Sequence, residues 1–305
     1  MAIARNSLRT RRPIVGVALV ALAVCGLAGS AAAQSTVERG SYLVNSILAC
    51  GNCHTPKTPA GKPITGKHLA GGLAFNTPGF SATASNITQD RDTGIGAWSD
   101  AEIKRSLTEG VRPNHGRLAN APLAAVMPIS FFKPLLPRDL DAVVAYLRTV
   151  QPVHHDTPAP EYRMPVHHDP YPEAEKGFTE AMMADPVKRG AYLVTVGHCM
   201  ECHSPFEKGR SDYSRLGKGG RTFSPSLVTG FPGAWKGSVA RNITSHPRSG
   251  IGAWTDAEIK RAITKGISRD GRKLQAPMAF DYYDRMTTTD LDAIVAYLRT
   301  VPPLE

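Results

Sequence analysis

Cysteine is scarce in this chain of 305 residues: there are five, and four of them sit in two short motifs. No pair is left over to form a disulfide, the usual staple of an exported domain. Acidic residues are absent from positions 1–13, where Arg5, Arg9, Arg11 and Arg12 stand instead. They are rare again from Lys208 to Arg248, where eight basic residues are accompanied by the single acid Asp212. From 151 to 186 there is no sustained apolar period, and seven prolines punctuate the segment, which reads as a linker. No βαβ pattern flanks either cysteine motif, and this argues against a thioredoxin-type redox site.

The arginine-rich start runs into an apolar stretch from Ile14 to Ala28 and then Ala31-Ala32-Ala33, a small-residue cleavage pattern. Residues 1–33 therefore read as a secretory signal peptide, with the mature chain starting near Gln34. The alternative is an uncleaved anchor, because Ile14 to Ala33 matches the ~20 residues a membrane span needs. Arg11-Arg12 and Cys25 invite twin-arginine and lipoprotein readings, which we disfavour. Without the signal the 36 basic and 26 acidic residues of the whole chain reduce to a net charge of about +6.

The two motifs are Cys50-Gly51-Asn52-Cys53-His54 and Cys199-Met200-Glu201-Cys202-His203. Two cysteines three apart followed at once by histidine form the signature of covalent c-type haem attachment. One helical turn places both thiols to form thioethers with the haem vinyl groups, and the adjacent imidazole reaches the iron as proximal ligand. A zinc site would need four ligands converging from paired motifs. Here the motifs lie about 150 residues apart, each inside its own repeat. Two covalently bound haem c groups are the expectation.

Self-comparison exposes that repeat. Arg39-Gly40-Ser41-Tyr42-Leu43-Val44 matches Arg189-Gly190-Ala191-Tyr192-Leu193-Val194, each read as a helix running into its motif. Asn86-Ile87-Thr88 and Gly94-Ile95-Gly96-Ala97-Trp98 recur as Asn242-Ile243-Thr244 and Gly250-Ile251-Gly252-Ala253-Trp254. The N-x-T triplet is formally a glycosylation acceptor, but its recurrence at one place suggests a role inside the fold. Ser99 with Glu102 and Thr255 with Glu258 predict capping boxes, closed by Gly110 and Gly266. Leu140, Val143, Val144 and Leu147, and likewise Leu291, Ile294, Val295 and Leu298, mark the buried face of a closing helix. Packed across the leading helix, each closing helix would bring Tyr146 near Gly40 and Tyr297 near Gly190. Trp98 and Trp254 read as core or haem-wall residues. His154-His155-Asp156 and His167-His168-Asp169 read as solvated linker rather than metal ligands. The basic stretch 208–248 could steer an acidic partner or neutralise haem propionates.

The residue opposite the proximal histidine separates a carrier from a catalyst. Each repeat supplies one methionine at the same place: Met127 and Met278 each precede the first apolar position of the closing helix by thirteen residues. Both are followed by an aromatic pair, Phe131-Phe132 or Tyr282-Tyr283. Soft thioether sulfur opposite histidine raises the reduction potential and favours electron transfer. His68 and His115 are the fallback ligands for the first haem.

With these elements in place, each half resembles a class I cytochrome c. The combination of Asn-Ile-Thr, Gly-Ile-Gly-Ala-Trp, Asp-Ala-Glu-Ile-Lys-Arg and Leu-Asp-Ala-x-Val-Ala-Tyr-Leu-Arg-Thr is similar to the multihaem cytochrome c subunits of periplasmic alcohol, aldehyde and gluconate dehydrogenases. The resemblance implies thioethers at Cys50, Cys53, Cys199 and Cys202, with axial ligands His54, Met127, His203 and Met278. It implies an all-α protein of two tandem cytochrome c domains, 34–150 and 187–305, joined by the linker 151–186. Such a protein would carry single electrons in the periplasm from a dehydrogenase to the respiratory chain, through a quinone, a soluble cytochrome or a terminal oxidase. No enzymatic activity of its own and no nucleic-acid partner are expected. Some relatives have three haems, and this sequence has no third CxxCH.

Two rival readings are a dihaem peroxidase, which needs a displaceable distal ligand, and a cytochrome subunit of a membrane oxidase, which needs the uncleaved span. Mass spectrometry of the exported protein is expected to find its first residue at or beside Gln34. Retention of residues 14–33 would establish the anchor instead.

Overall fold

The computed structural model describes residues 1–2, 34–231, 233 and 235–305. The expected signal peptide, with Cys25 and the arginine pair, lies outside the described residues. Among the described residues no helix is long and apolar enough to cross a membrane.

Helix α1 (Thr36–Asn45) starts at a Ser35–Glu38 capping box and precedes α2 (Cys50–His54). The chain continues through β1 (Ala74–Asn76) and β2 (Phe80–Thr83) to α3 (Asp100–Glu109), the short α4 (Ile129–Phe132) and the closing α5 (Pro137–Thr149). Strand β3 (Glu161–Tyr162), α6 (Pro172–Glu175) and a 3-10 turn, Glu180–Ala184, lie in the proline-rich segment. The second half repeats the helical order with α7 (Pro186–Val196), α8 (Cys199–His203), α9 (Asp256–Lys265), α10 (Phe280–Tyr283) and α11 (Thr288–Thr300). Between α8 and α9 run β4 (Phe206–Glu207), β5 (Arg210–Ser211), β6 (Thr222–Phe223), β7 (Val228–Thr229) and β8 (Ser238–Val239).

The all-α expectation is therefore overturned: the structure is only 36 % helical and contains several small sheets. The largest is antiparallel, in the order β3-β2-β1-β7, with Phe75 opposite Val228 and Phe80 opposite Tyr162. It joins the first half, the proline-rich segment and the second half. Its strands are two to four residues long; β1 and β2 form a local hairpin, whereas β2–β3 and β1–β7 pair across large sequence separations. Local periodicity carries no trace of such pairing, because alternation needs a longer run to be seen.

The helical expectations fare better. Both capping boxes form, and Gly110 and Gly266 end their helices at φ 72° and 62°. Helices α1 and α5 cross at Gly40, and α7 and α11 at Gly190. A Cβ on either glycine would overlap the Ala142 or Ala293 carbonyl oxygen and press on the Cβ of Tyr146 or Tyr297. The missing side chain thus sets the closeness of each helix pair. The leading helices do not run unbroken into the motifs. Ala49 and His198, at φ 47° and 43°, turn the chain sharply before each first cysteine, a left-handed conformation that costs a non-glycine residue about 1 kcal/mol or more.

The two halves pack through one shared apolar core, with Leu43, Ile47, Val144, Tyr192, Leu193 and Val295 all buried in it. At its centre two buried carboxylates make reciprocal contacts. Asp139 accepts from Arg39 Nε at 2.8 Å and Nη2 at 2.9 Å within its own half, and from Tyr192 Oη of the other half at 2.7 Å. Asp290 accepts from Arg189 Nε at 2.6 Å and from Tyr42 Oη at 2.5 Å. The proline-rich segment is pinned as well: Tyr171 is buried and stacks on Phe131 at 4.7 Å, and Val153 O accepts from Asn86 Nδ2 at 2.8 Å.

Burial alone would raise the Asp139 carboxyl, but the Arg39 guanidinium, with Tyr192 and Arg138, holds it below the usual carboxylate range. Its stabilisation is therefore complete above the unfolded pKa near 4 and is lost as pH falls through the lower folded value. The Asp139 contribution is expected to be constant from pH 5 to 8. Asp139→Asn should cost ~2–3 kcal/mol by leaving the half-buried Arg39 without its counter-charge, and Gly190→Ala ~2 kcal/mol or more by overpacking, both read from chemical denaturation at pH 7.

Candidate haem-attachment sites

Both motif helices present their histidine in the same way. His54 Nδ1 lies 2.7 Å from the Ser85 carbonyl oxygen, and His203 Nδ1 lies 2.7 Å from that of Arg241. A carbonyl can only accept, so each Nδ1 carries the proton and each Nε2 keeps its lone pair. Burial lowers both imidazoles below their ordinary value, against the smaller opposing effect of these hydrogen bonds. The result is a neutral, oriented ring with a free Nε2, the state a metal-ligating histidine requires.

The carbonyls that orient the rings immediately precede the two Asn-Ile-Thr triplets, and this explains their recurrence. Asn86 Oδ1 accepts from Thr88 N at 3.0 Å and Thr88 Oγ1 at 2.8 Å, while its Nδ2 donates to Val153 O. Asn242 repeats this with Thr244 N at 2.9 Å and Thr244 Oγ1 at 2.7 Å, and donates to Leu304 O at 2.6 Å. Each asparagine ties the histidine-orienting loop to the chain leaving the closing helix. The Trp98 carbonyl accepts from Arg148 and the Trp254 carbonyl from Arg299, both at 2.5 Å. These tryptophans pack against the core.

The cysteines suit uncharged sulfur. Burial pushes the Cys50 and Cys199 thiols up to about 12 and the Cys53 thiol up to about 11. A zinc centre needs thiolates, which these surroundings penalise. A thioether carries no charge and loses nothing by burial. The residues present thus fit a covalently attached haem.

Met127 and Met278 both lie half-buried against the core, each two residues before its short helix, α4 or α10. Of the fallback ligands, His115 Nε2 is engaged with Glu102 Oε1 at 2.9 Å. His68 lines an open polar cleft of about 420 Å³ with Ser41, Tyr42, Asn45, Ser46 and Arg285. The linker histidines separate: His155 Nδ1 meets Ala70 O at 2.6 Å, and His168 Nε2 meets Leu123 O at 3.3 Å.

The two motifs face the opposite halves, which the sequence did not signal. Gly51 leaves room for the Tyr282 hydroxyl, and Asn52 Nδ2 donates to Pro277 O at 3.0 Å. In return Phe131 and Phe132 lie edge-on to His198, with ring centroids 6.5 and 6.3 Å away.

Residues 187–302 match the cytochrome c family, so the second half carries a cytochrome c domain. The chain is 30 % identical over 297 residues to the fructose dehydrogenase cytochrome subunit of Gluconobacter japonicus, covering 90 % of this chain and 54 % of the relative. It is 30 % identical over 301 residues to the cytochrome c subunit of the quinone alcohol dehydrogenase of Gluconacetobacter polyoxogenes, covering 91 % of this chain and 60 % of the relative. A diheme cytochrome c-type protein of Cereibacter sphaeroides is 26 % identical over 266 residues, covering 84 % and 83 % of the two chains. The chain thus spans little more than half the length of the dehydrogenase subunits.

Asn86→Ala removes a buried partner of Thr88 and of the Val153 carbonyl. It is expected to cost ~1–3 kcal/mol, measured by denaturant unfolding. Asn242→Ala should behave alike.

Proposed function

We propose that the chain is a dihaem c-type cytochrome that takes single electrons from a dehydrogenase and passes them to the respiratory chain. The observation that carries this reading is the duplicated site: two CxxCH helices, each with a neutral histidine whose Nδ1 is held by a backbone carbonyl. Cys50 and Cys53 would hold one haem and Cys199 and Cys202 the other. His54 and Met127 would be the axial ligands of the first, His203 and Met278 those of the second. A haem bound between histidine and methionine supplies reversible one-electron chemistry at a raised potential.

The residues of the chain keep that chemistry simple. The carbonyls of Ser85 and Arg241 orient the imidazoles, the half-buried cysteines would anchor the cofactors, and filled axial positions would leave no place for a substrate. We assign 34–150 and 187–305 to the two cytochrome domains, with 151–186 joining them. The donor would be a periplasmic or membrane-bound dehydrogenase, as the likeness to the fructose and alcohol dehydrogenase subunits suggests. The acceptor would be a quinone, a soluble cytochrome or a terminal oxidase. The site of action would be the periplasm, with membrane association through a partner or through an uncleaved N-terminal segment. Lys208, Lys218, Lys236 and Arg241, which follow the second motif in the chain, pair with no acid among the described residues. They are the charges available to steer an acidic partner.

The test is the absorption spectrum of the purified oxidised protein, with carbon monoxide added to the reduced form. A far-red methionine–iron band of an intensity fitting two haems, and no carbon monoxide binding, is expected. High-spin iron or ready ligand binding at either haem would overturn the paired-methionine assignment.

A further inference from the structure

The contacts between the halves are unequal at the motif helices. Asn52, the second residue between the cysteines of the first motif, donates from Nδ2 to the carbonyl of Pro277, directly before Met278. Its Oδ1 accepts from Lys57 Nζ at 3.2 Å. Lysine can only donate and a carbonyl can only accept, so the amide has one consistent orientation. The preceding carbonyl, of Ala276, accepts from Trp235 Nε1 at 3.1 Å and Ser238 Oγ at 2.6 Å. On the far side of Met278, Tyr282 sits against Gly51. The first motif helix therefore touches the methionine segment of the second half both before and after Met278.

The reverse contact is of another kind. Glu201 occupies the position equivalent to Asn52, and Met200, fully buried, that of Gly51. Glu201 turns to His198 Nδ1 at 3.2 Å and to Arg221. Among the described residues no side chain of the second motif hydrogen-bonds to the Val126 carbonyl, before Met127.

We propose that Asn52 is a positioning residue for Met278, so that the first haem motif holds in place the distal ligand of the second haem, with no equivalent control in the other direction. The inference rests on the methionine ligation proposed above. Removal of the Asn52 hydrogen bond frees the Met278 segment to move off the iron. The expected consequence is easier displacement of that methionine at the second haem alone.

The experiment uses the intact holoprotein and its Asn52→Leu variant, which keeps the branching at Cγ and is unable to donate. Asn52→Asp serves as a second variant, which can still accept from Lys57 but cannot donate to Pro277 O. Imidazole is titrated into the ferric protein, and the bound-methionine methyl signals of the reduced protein are recorded by NMR. Met127→Leu and Met278→Leu assign those signals and the two binding phases. A hydrogen bond of ~1 kcal/mol corresponds to about a fivefold tighter imidazole affinity at the second haem. Both Asn52 variants should show this, with the Met278 methyl signal shifted and the first haem unchanged. If Met278→Leu removes no bound-methionine signal, the ligation reading itself falls, and this proposal with it. If Met278→Leu does remove one, but the Asn52 variants change neither haem or both alike, ligation stands and the positioning role is overturned.

Discussion

Two buried carboxylates hold this protein together. Asp139 and Asp290 each accept from an arginine of their own leading helix and from a tyrosine of the opposite half. A buried carboxylate stripped of such partners costs several kcal/mol, so neither half can be lifted away without exposing or orphaning a charge. The constraint fixes more than the interface. Arg39 and Arg189 lie on the helices that lead to the cysteines, and Asp139 and Asp290 on the helices that close each repeat. One contact thereby sets the crossing of each helix pair and the approach of one pair to the other. The two motif helices come to rest against the opposite half as a result.

Much of this was legible in the sequence where the cause is local. The capping serine and threonine, the closing glycines and the apolar stripe of each last helix act within a few residues, and they appear where the pattern places them. Gly40 and Gly190 were legible because the repeat aligned each with a tyrosine on the closing helix. The part that was not legible depends on groups the sequence does not distinguish. Asp139 and Asp290 stand in the first turn of a helix, where a solvated acid is ordinary, and only tertiary packing makes them buried. The ring-orienting acceptors are backbone carbonyls of Ser85 and Arg241, and every residue has one. The triplet after them recurs visibly, yet its purpose emerges only when Val153 and Leu304 are seen to meet it. The small sheets that displaced the all-α expectation pair strands too short to show alternation.

The repeat is not a perfect copy, and one departure falls within the cysteine motifs themselves. Glycine and asparagine between the first cysteines become methionine and glutamate between the second. The first pair lets the opposite half approach and hydrogen-bond; the second fills the space and turns its charge toward His198 and Arg221. A duplicated carrier with identical sites would have no direction of its own. Unequal surroundings give the two proposed haems separate reasons to differ in potential.

The claim on which the account stands is that two low-spin haems are held close together in one packed unit. The direct measurement is electron paramagnetic resonance of the fully oxidised protein, compared with a variant in which Cys199→Ala and Cys202→Ala prevent the second attachment. The account predicts two low-spin ferric signals broadened by mutual dipolar coupling, with the broadening lost in the variant. A spectrum of the intact protein that is the simple sum of two isolated haems, or that holds a high-spin component, would contradict it.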